Sequence, residues 1–312
     1  MDIIFMGTPS FAVPALQALL ASDYRVVAVC TQPDKRGGRK QQLLLSPVKA
    51  VAVNNRIPLV QPKTLKSPEA VEELARFHPD LIVVAAFGLI LPPAVLSLPR
   101  SGCLNVHPSL LPRHRGPSPV ANAVLCGDEV SGVSIMLMDE GMDSGAVLAR
   151  QEVPISPEDT TGSLTAKLAQ LGAALLVDTL PRWLEGRIKP QPQDESQASY
   201  SRRLTSEDGE LDWHLSAVEL WRKVRAYNPW PGCYTCWQGR RLKVHQAVPL
   251  SRPVKRRGIG EVVALPEPSL GVGVVTAEGV LELRRIQLEG KQEMPVAEFV
   301  RGQRSFVGSV LG

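Results

Sequence analysis

Asn105 and His107 stand two residues apart where a short apolar run, Cys103 and Leu104, gives way to Pro108-Ser109-Leu110-Leu111-Pro112. If 102–106 form a strand, side chains at i and i+2 share a face, so an amide donor and a titratable ring project together from its carboxyl end. Carbonyl chemistry uses such a pair. An amide N–H stabilises a developing oxyanion, and an imidazole with an ordinary pKa of about 6.5 gives or takes a proton near neutrality. Taken alone, the pair is as readily a histidine closing a strand. A possible third member lies in the turn Gly141-Met142-Asp143-Ser144-Gly145, where Asp143 follows Asp139 and Glu140. Carboxylates near His107 raise the question of a metal, but the remaining histidines have no ligand spacing and none is expected.

Three stretches share a pattern: Asn105 through Pro112, the following Arg113-His114-Arg115-Gly116-Pro117-Ser118-Pro119, and the Asp143 turn. Together they resemble the formyltransferase family that uses a 10-formyltetrahydrofolate donor. Within it, Gly7-Thr8-Pro9-Ser10-Phe11-Ala12, Thr31-Gln32-Pro33-Asp34 and Tyr227-Asn228-Pro229-Trp230-Pro231 resemble the bacterial branch acting on initiator Met-tRNA. The likeness runs through essentially the whole chain. It implies transfer of the formyl group to the methionine α-amino nitrogen, giving N-formylmethionyl-tRNA for translation initiation.

The resemblance also assigns residues. Asn105, His107 and Asp143 become the catalytic trio, with Asn105 and His107 donating to the oxyanion and Asp143 favouring a protonated His107 and relaying a proton through water. Ser109, Leu110, Leu111 and Pro112 would line the folate site, and Phe87, Gly88, Leu89, Ile90 and Leu91 would bound its pterin pocket. The loop over 34–46 would meet the acceptor end of the tRNA. There Lys35, Arg36, Arg39 and Lys40 neutralise phosphates, while Leu43 and Leu44 press on a base. The chain departs from the family pattern at Gln41 and Gln42, where basic residues are common, which leaves Arg39 as the strongest single cation. Lys223, Arg225, Lys243 and the basic run 255–257 are weaker candidates for phosphate contact.

Bulk properties restrict the choice further. A length of 312 residues with 44% hydrophobic content gives room for two domains with packed cores. Five cysteines without a secretory leader suggest thiols in a reducing compartment, the cytoplasm. Cys233 and Cys236 form a lone Cys-x-x-Cys, and an offset of three on a strand sends the thiols to opposite faces. The uncharged stretch 81–98 has the length of a membrane span, but Gly88 and the Pro92-Pro93 pair interrupt it. No membrane partner is expected, and the chain is expected to be a monomer. A net charge of +4 is too small to announce a polyanion by itself.

Strand patterns at 3–6, 26–30, 81–86, 103–106 and 133–138 alternate with helix patterns at 14–20, 47–53, 68–77 and 160–184. This rhythm predicts an α/β fold, a Rossmann-like mostly parallel sheet with helices on both faces, over 1–189. Ligands in such sheets bind beyond the strands' carboxyl ends, where Gly7, Thr31, Phe87 and His107 all fall. A Pro/Gln-rich linker is expected over 190–207. After it, over 208–312, one helix at 217–227 and five short β-like runs favour a small barrel or sandwich. The resemblance implies an OB-like barrel that binds tRNA.

Three rival functions remain. A dinucleotide-dependent oxidoreductase would suit the sheet, but Gly7-Thr8-Pro9 lacks the G-x-G-x-x-G fingerprint. A formyltransferase for an amino sugar nucleotide or another small amine would share the trio. A non-catalytic RNA-binding protein would leave the trio without a purpose.

Overall fold

The computed structural model describes residues 1–37, 42–251, 258–266 and 271–312, with the backbone alone at 35–37 and 42–43. The chain divides into two compact units. The first comprises Met1–Pro119, Val130–Pro154 and Thr165–Ser201; the second comprises Val120–Glu129, Ile155–Leu164 and Arg202–Gly312.

In the first unit the strands are β1 (Asp2–Gly7), β2 (Arg25–Cys30), β3 (Lys35–Gly37), β4 (Gln42–Leu44), β5 (Leu59–Val60), β6 (Leu81–Ala85), β7 (Cys103–His107), β8 (Val130–Leu137) and β9 (Val147–Pro154). Seven of them form one sheet in the order β5-β2-β1-β6-β7-β8-β9. It is parallel from β5 to β7 and antiparallel at β8 and β9. Unbroken apolar runs build its centre because both faces there are covered, and every residue of β6 and β7 is buried. The chain lays β2 and β5 on one side of β1 and then crosses to β6 and β7 on the other. That reversal opens a crevice at the strand ends.

The α-helices up to residue 184 are α1 (Val13–Leu20), α2 (Pro47–Asn54), α3 (Pro68–Ala75), α4 (Pro93–Leu96), α5 (Pro119–Cys126) and α6 (Thr161–Leu184), of which 120–126 and 161–164 belong to the second unit. Ser46 and Ser67 cap α2 and α3 by accepting from Lys49 N and Ala70 N, each with a proline next in line. The 81–98 stretch ends its strand at Ala85, passes Ala86 at φ 46°, and restarts as the one-turn helix α4. Among the described residues no helix is long and apolar enough to cross a membrane.

The Pro/Gln-rich stretch differs from a free linker. Up to Ser201 it belongs to the first unit, with Gln191 bridging to Val147 and Tyr200 to Arg115. Low apolar content did not reveal this, because its backbone and polar side chains make the contacts.

In the second unit, α7 (Ala217–Ala226) opens with a reciprocal cap between Ser216 and Glu219. The strands β10 (Cys233–Trp237), β11 (Arg240–Leu250), β12 (Val262–Ala264), β13 (Val272–Val275) and β14 (Val280–Leu288) form an antiparallel sheet in the order β10-β11-β14-β13-β12. β15 (Met294–Pro295) also pairs with β14, ahead of α8 (Val296–Gly302). Register shifts on either side of Gln246 bend β11, giving the sheet its curl. Trp237, Phe299 and Phe306 meet edge to face with centroids 5.0–5.5 Å apart. Cys233 is buried and Cys236 half-buried, as alternation along β10 requires.

The backing of β7 depends on one missing side chain. A Cβ on Gly172 of α6 would lie 2.7 Å from Val106 Cγ1 and 3.2 Å from Val133 Cγ1. Val106 alternates with Asn105 and His107, so α6 supports β7 from behind these two residues. Gly172→Val should therefore lower unfolding stability by about 1–3 kcal/mol through overpacking, measured by urea denaturation. Wild-type stability in that variant would mean that the helix is not held close.

Candidate active site

Beyond the ends of β6 and β7 lies a cavity of about 520 Å³, lined by Phe87, Gly88, Leu89, Ile90 and Leu91 from the exit of β6, by Asn105 and His107 from β7, and by Met142 and Asp143. Pro117 and Met138 complete much of the remaining wall. Asn105 is only 9% exposed, yet its side-chain amide makes no hydrogen bond among the described residues. The amide is instead open to the cavity, a space the size of a ligand.

His107 is flanked on both edges. Its Nε2 lies 3.3 Å from the His114 carbonyl, and its Nδ1 lies 3.7 Å from Asp143 Oδ1. A carbonyl only accepts, so Nε2 carries the hydrogen of the neutral ring, leaving the Nδ1 lone pair towards the carboxylate. Burial pushes the His107 pKa down, opposed by the Asp143 charge and the His114 carbonyl. The balance favours a neutral ring that can take a proton at Nδ1.

Asp143 has its own supports. Gly116 N donates to its Oδ2 at 2.8 Å, and Gln193 Nε2 donates to the carbonyls of Asp143 and Gly145 at 2.8 and 2.7 Å. Gly145 must be glycine, because a Cβ there would lie 1.9 Å from the Leu137 carbonyl oxygen. Asp139 behaves differently: it accepts from Gly141 N and the Ser144 hydroxyl and closes the turn on itself. The acidic-turn reading thus describes Asp139, whereas Asp143 reaches the histidine.

The residues expected to hold folate separate into two groups. Phe87 through Leu91 line the cavity; Ser109, Leu110, Leu111 and Pro112 do not. Ser109 donates to the Arg113 carbonyl, and the Ser134 hydroxyl accepts from Leu111 N while donating to the Ser109 carbonyl. Leu111 packs on Met136 and Val147. After Pro108 the chain turns onto β8 to satisfy its backbone and bury Leu111, so this segment buttresses the site. Spacing could not reveal Arg115 and Gln193, whose partners are far away in sequence. Cys103 is buried with its thiol pushed up to about 12, which rules out a nucleophile near neutrality. Among the described residues no group of three or more His, Cys, Asp and Glu side chains could hold a metal ion.

For nucleic acid, β3 and β4 form a hairpin pairing Lys35 with Leu44 and Arg36 with Leu43. Arg39, Lys40 and Gln41 lie outside the described residues. Leu44 and Leu45 are exposed, and the base of the hairpin is tied by Lys49 and Gln61, both donating to Asp34. Arg225 is a correction. It is buried, stacks 3.8 Å over the Trp221 ring and donates to the Ser156 and Asp159 carbonyls, so its charge is spent on packing. Lys223 donates to the Glu210 carbonyl, Lys243 borders a second cavity of about 590 Å³, and 255–257 lie outside the described residues.

A crossover sheet carrying an unpartnered amide beside a His–Asp pair defines a group-transfer enzyme acting on a carbonyl-type carbon. The chain belongs to the formyl transferase family: residues 1–180 match "Formyl transferase" and 203–304 its C-terminal domain. It is 44% identical to the methionyl-tRNA formyltransferase of Marinobacter nauticus, covering 97% of this chain and 96% of that one. Against that of Dehalococcoides mccartyi the figures are 46%, 100% and 98%. Among solved structures, the fold resembles the N-formyltransferase from Helicobacter canadensis in complex with folinic acid and dTDP-3-aminofucose, with TM-score 0.66, 18% identity, and 94% and 99% of the two chains covered. It also resembles methionyl-tRNA formyltransferase from Clostridium thermocellum, with TM-score 0.55, 18% identity, and 80% and 93% covered.

The neutral histidine sets a pH dependence. Its folded pKa lies below the ordinary value of 6.5, so the unfolded chain binds this proton more tightly. The contribution of His107 to stability is therefore complete above about pH 6.5 and is lost as the pH falls towards the lowered folded value. Urea unfolding from neutral to mildly acidic pH should show this loss, and His107→Gln should flatten the profile. Parallel profiles for the two proteins would refute a buried neutral His107.

Proposed function

We propose that this chain transfers the formyl group of 10-formyltetrahydrofolate to the α-amino nitrogen of methionine on initiator Met-tRNA. The observation that carries the reading is the unpartnered Asn105 amide on the same face of β7 as a His107 paired with Asp143. Identities of 44% to 46% along essentially full-length relatives named methionyl-tRNA formyltransferase support the choice of acceptor. The buried thiols of Cys30, Cys103 and Cys233 suit a reducing compartment, the cytoplasm, where the protein acts as a monomer without a membrane partner.

In this reading the methionine amine attacks the formyl carbon on folate N10, and the carbonyl oxygen becomes an oxyanion that takes a hydrogen bond from Asn105. The attacking nitrogen must lose a proton, and folate N10 must gain one to leave. His107 takes the proton at Nδ1, stabilised by Asp143, and returns it to N10, directly or through water. Collapse of the intermediate breaks the C–N10 bond and releases tetrahydrofolate and the formylated amine. No covalent enzyme intermediate is needed. The apolar wall from Phe87 to Leu91 suits the pterin ring.

Asn105→Ala should reduce kcat by about 10²-fold or more, with folate Kd less affected. Asp143→Asn should fold, lose about 10²-fold in rate, and move the acidic limb of its pH–rate profile downward, because the charge that raises the His107 pKa is gone. Full activity in the Asn105 variant, or an unchanged profile with full activity in the Asp143 variant, would remove these roles.

The 34–46 loop and the second unit serve the tRNA in this proposal, with Arg39 as the leading phosphate contact and Leu44 as the apolar one. Arg39→Ala should weaken use of Met-tRNA and reduce the salt slope by about one unit or less, whereas Leu44→Ala should act without changing that slope. Both variants should keep their folate Kd. Equal losses with intact Met-tRNA and with a small amine acceptor would show that the loop organises the chemical site instead.

A further inference from the structure

The segment 191–201 does more than follow the catalytic unit. Ser199 accepts from His114 N through its hydroxyl and from Arg115 N through its carbonyl, while Ser201 N donates to the Arg115 carbonyl and its hydroxyl accepts from Ser118 N. This strap therefore fixes the 114–118 loop, whose His114 carbonyl accepts from His107 and whose Gly116 N donates to Asp143. From the same strap, Gln193 reaches the other side of the Asp143 turn.

Arg115 determines which way Gln193 faces. Only 1% exposed, it donates Nε to Gln193 Oε1 at 3.0 Å, with its other nitrogens on Glu195 and the Tyr200 hydroxyl. Arginine only donates, so the amide oxygen must face it. The amide nitrogen is then left to donate to the Asp143 and Gly145 carbonyls. The amide's paired acceptor and donor are both used: glutamate could not donate to the carbonyls, and lysine could not accept from Arg115.

We propose that Gln193, oriented by buried Arg115, is a positioning residue that holds the Asp143 carboxylate against His107 during formyl transfer. The inference rests on the reaction assigned above and deepens it. With the two turn carbonyls no longer held, the carboxylate drifts from Nδ1, and a displacement of about 1 Å near a reacting centre is enough for a large loss of rate.

The test uses the full-length protein with Gln193→Ala and Gln193→Met. The second keeps a similar length without adding a charge beside His107 and cannot donate to the carbonyls, so it still decides the matter if the alanine variant fails to fold. We expect kcat to fall about tenfold or more, with KM for 10-formyltetrahydrofolate nearly unchanged and a cooperative thermal transition retained in Gln193→Met. The His107 imidazole, followed by NMR titration without substrate, should titrate at lower pH than in the wild type. Asp143 and His114 are the titratable groups acting on it, and only the former is released. A kcat within about twofold of wild type would overturn the inference, as would a loss of kcat with an unmoved His107 titration, which marks a merely structural role. If the wild-type protein did not formylate Met-tRNA, the proposed function would fail while the substrate-free titration still decided the positioning role.

Discussion

A buried imidazole held between a backbone carbonyl and a carboxylate is the constraint on which the rest of this site depends. At 3.7 Å an ionised His107–Asp143 pair would gain about 4 kcal/mol at an effective dielectric of about 20. Withdrawing the imidazolium from water costs several kcal/mol, and the lowered pKa shows that desolvation wins in the resting protein. The ring is thus neutral at rest, with the Asp143 charge opposing the effect of burial. This explains the number of groups devoted to the turn: the backbone of Gly116, the amide of Gln193 and the close approach of Gly145 to β8.

The fold converts that constraint into geometry. Parallel strands bring the exits of β6 and β7 side by side, so the apolar wall from Phe87 to Leu91 and the polar pair on β7 face one cavity. Gly172 lets α6 back β7 from its other face. The antiparallel β8 supplies Ser134, which secures the chain leaving His107. Leu110, Leu111 and Pro112 accordingly belong to the support beside Asn105 and His107, whereas Pro108 still borders the cavity.

Charge in the sequence proved a poor guide to charge available for a ligand. Arg225 was as good a phosphate candidate as its neighbours, but it lies buried over Trp221, with Nη1 donating to two main-chain carbonyls and Nε shut away from solvent. Arg115 lies within a motif rich in basic residues and is fully enclosed by Gln193, Glu195 and Tyr200. Guanidinium groups pack and donate as well as carry charge, so composition overstates the cations a polyanion meets.

The alternation of apolar runs with capped helices was enough to predict the α/β sheet, because burial on both faces leaves uninterrupted Val/Ile/Leu strands. The two-residue spacing of Asn105 and His107 was enough to place them on one face, because the period of a strand is two. Local rules of this kind read well from sequence. The pairing of Asp143, and not Asp139, with His107 could not be read, since both carboxylates occupy the same acidic turn and only its closure separates them. Nor could the withdrawal of Ser109–Pro112 from the cavity, which depends on Ser134 in a later strand. The Pro/Gln-rich segment resembled a linker because composition records apolar burial, whereas its role rests on directional hydrogen bonds across more than forty residues of chain. Such bonds depend on where distant backbone groups come to lie, and that is decided only when the sheet and its loops have folded.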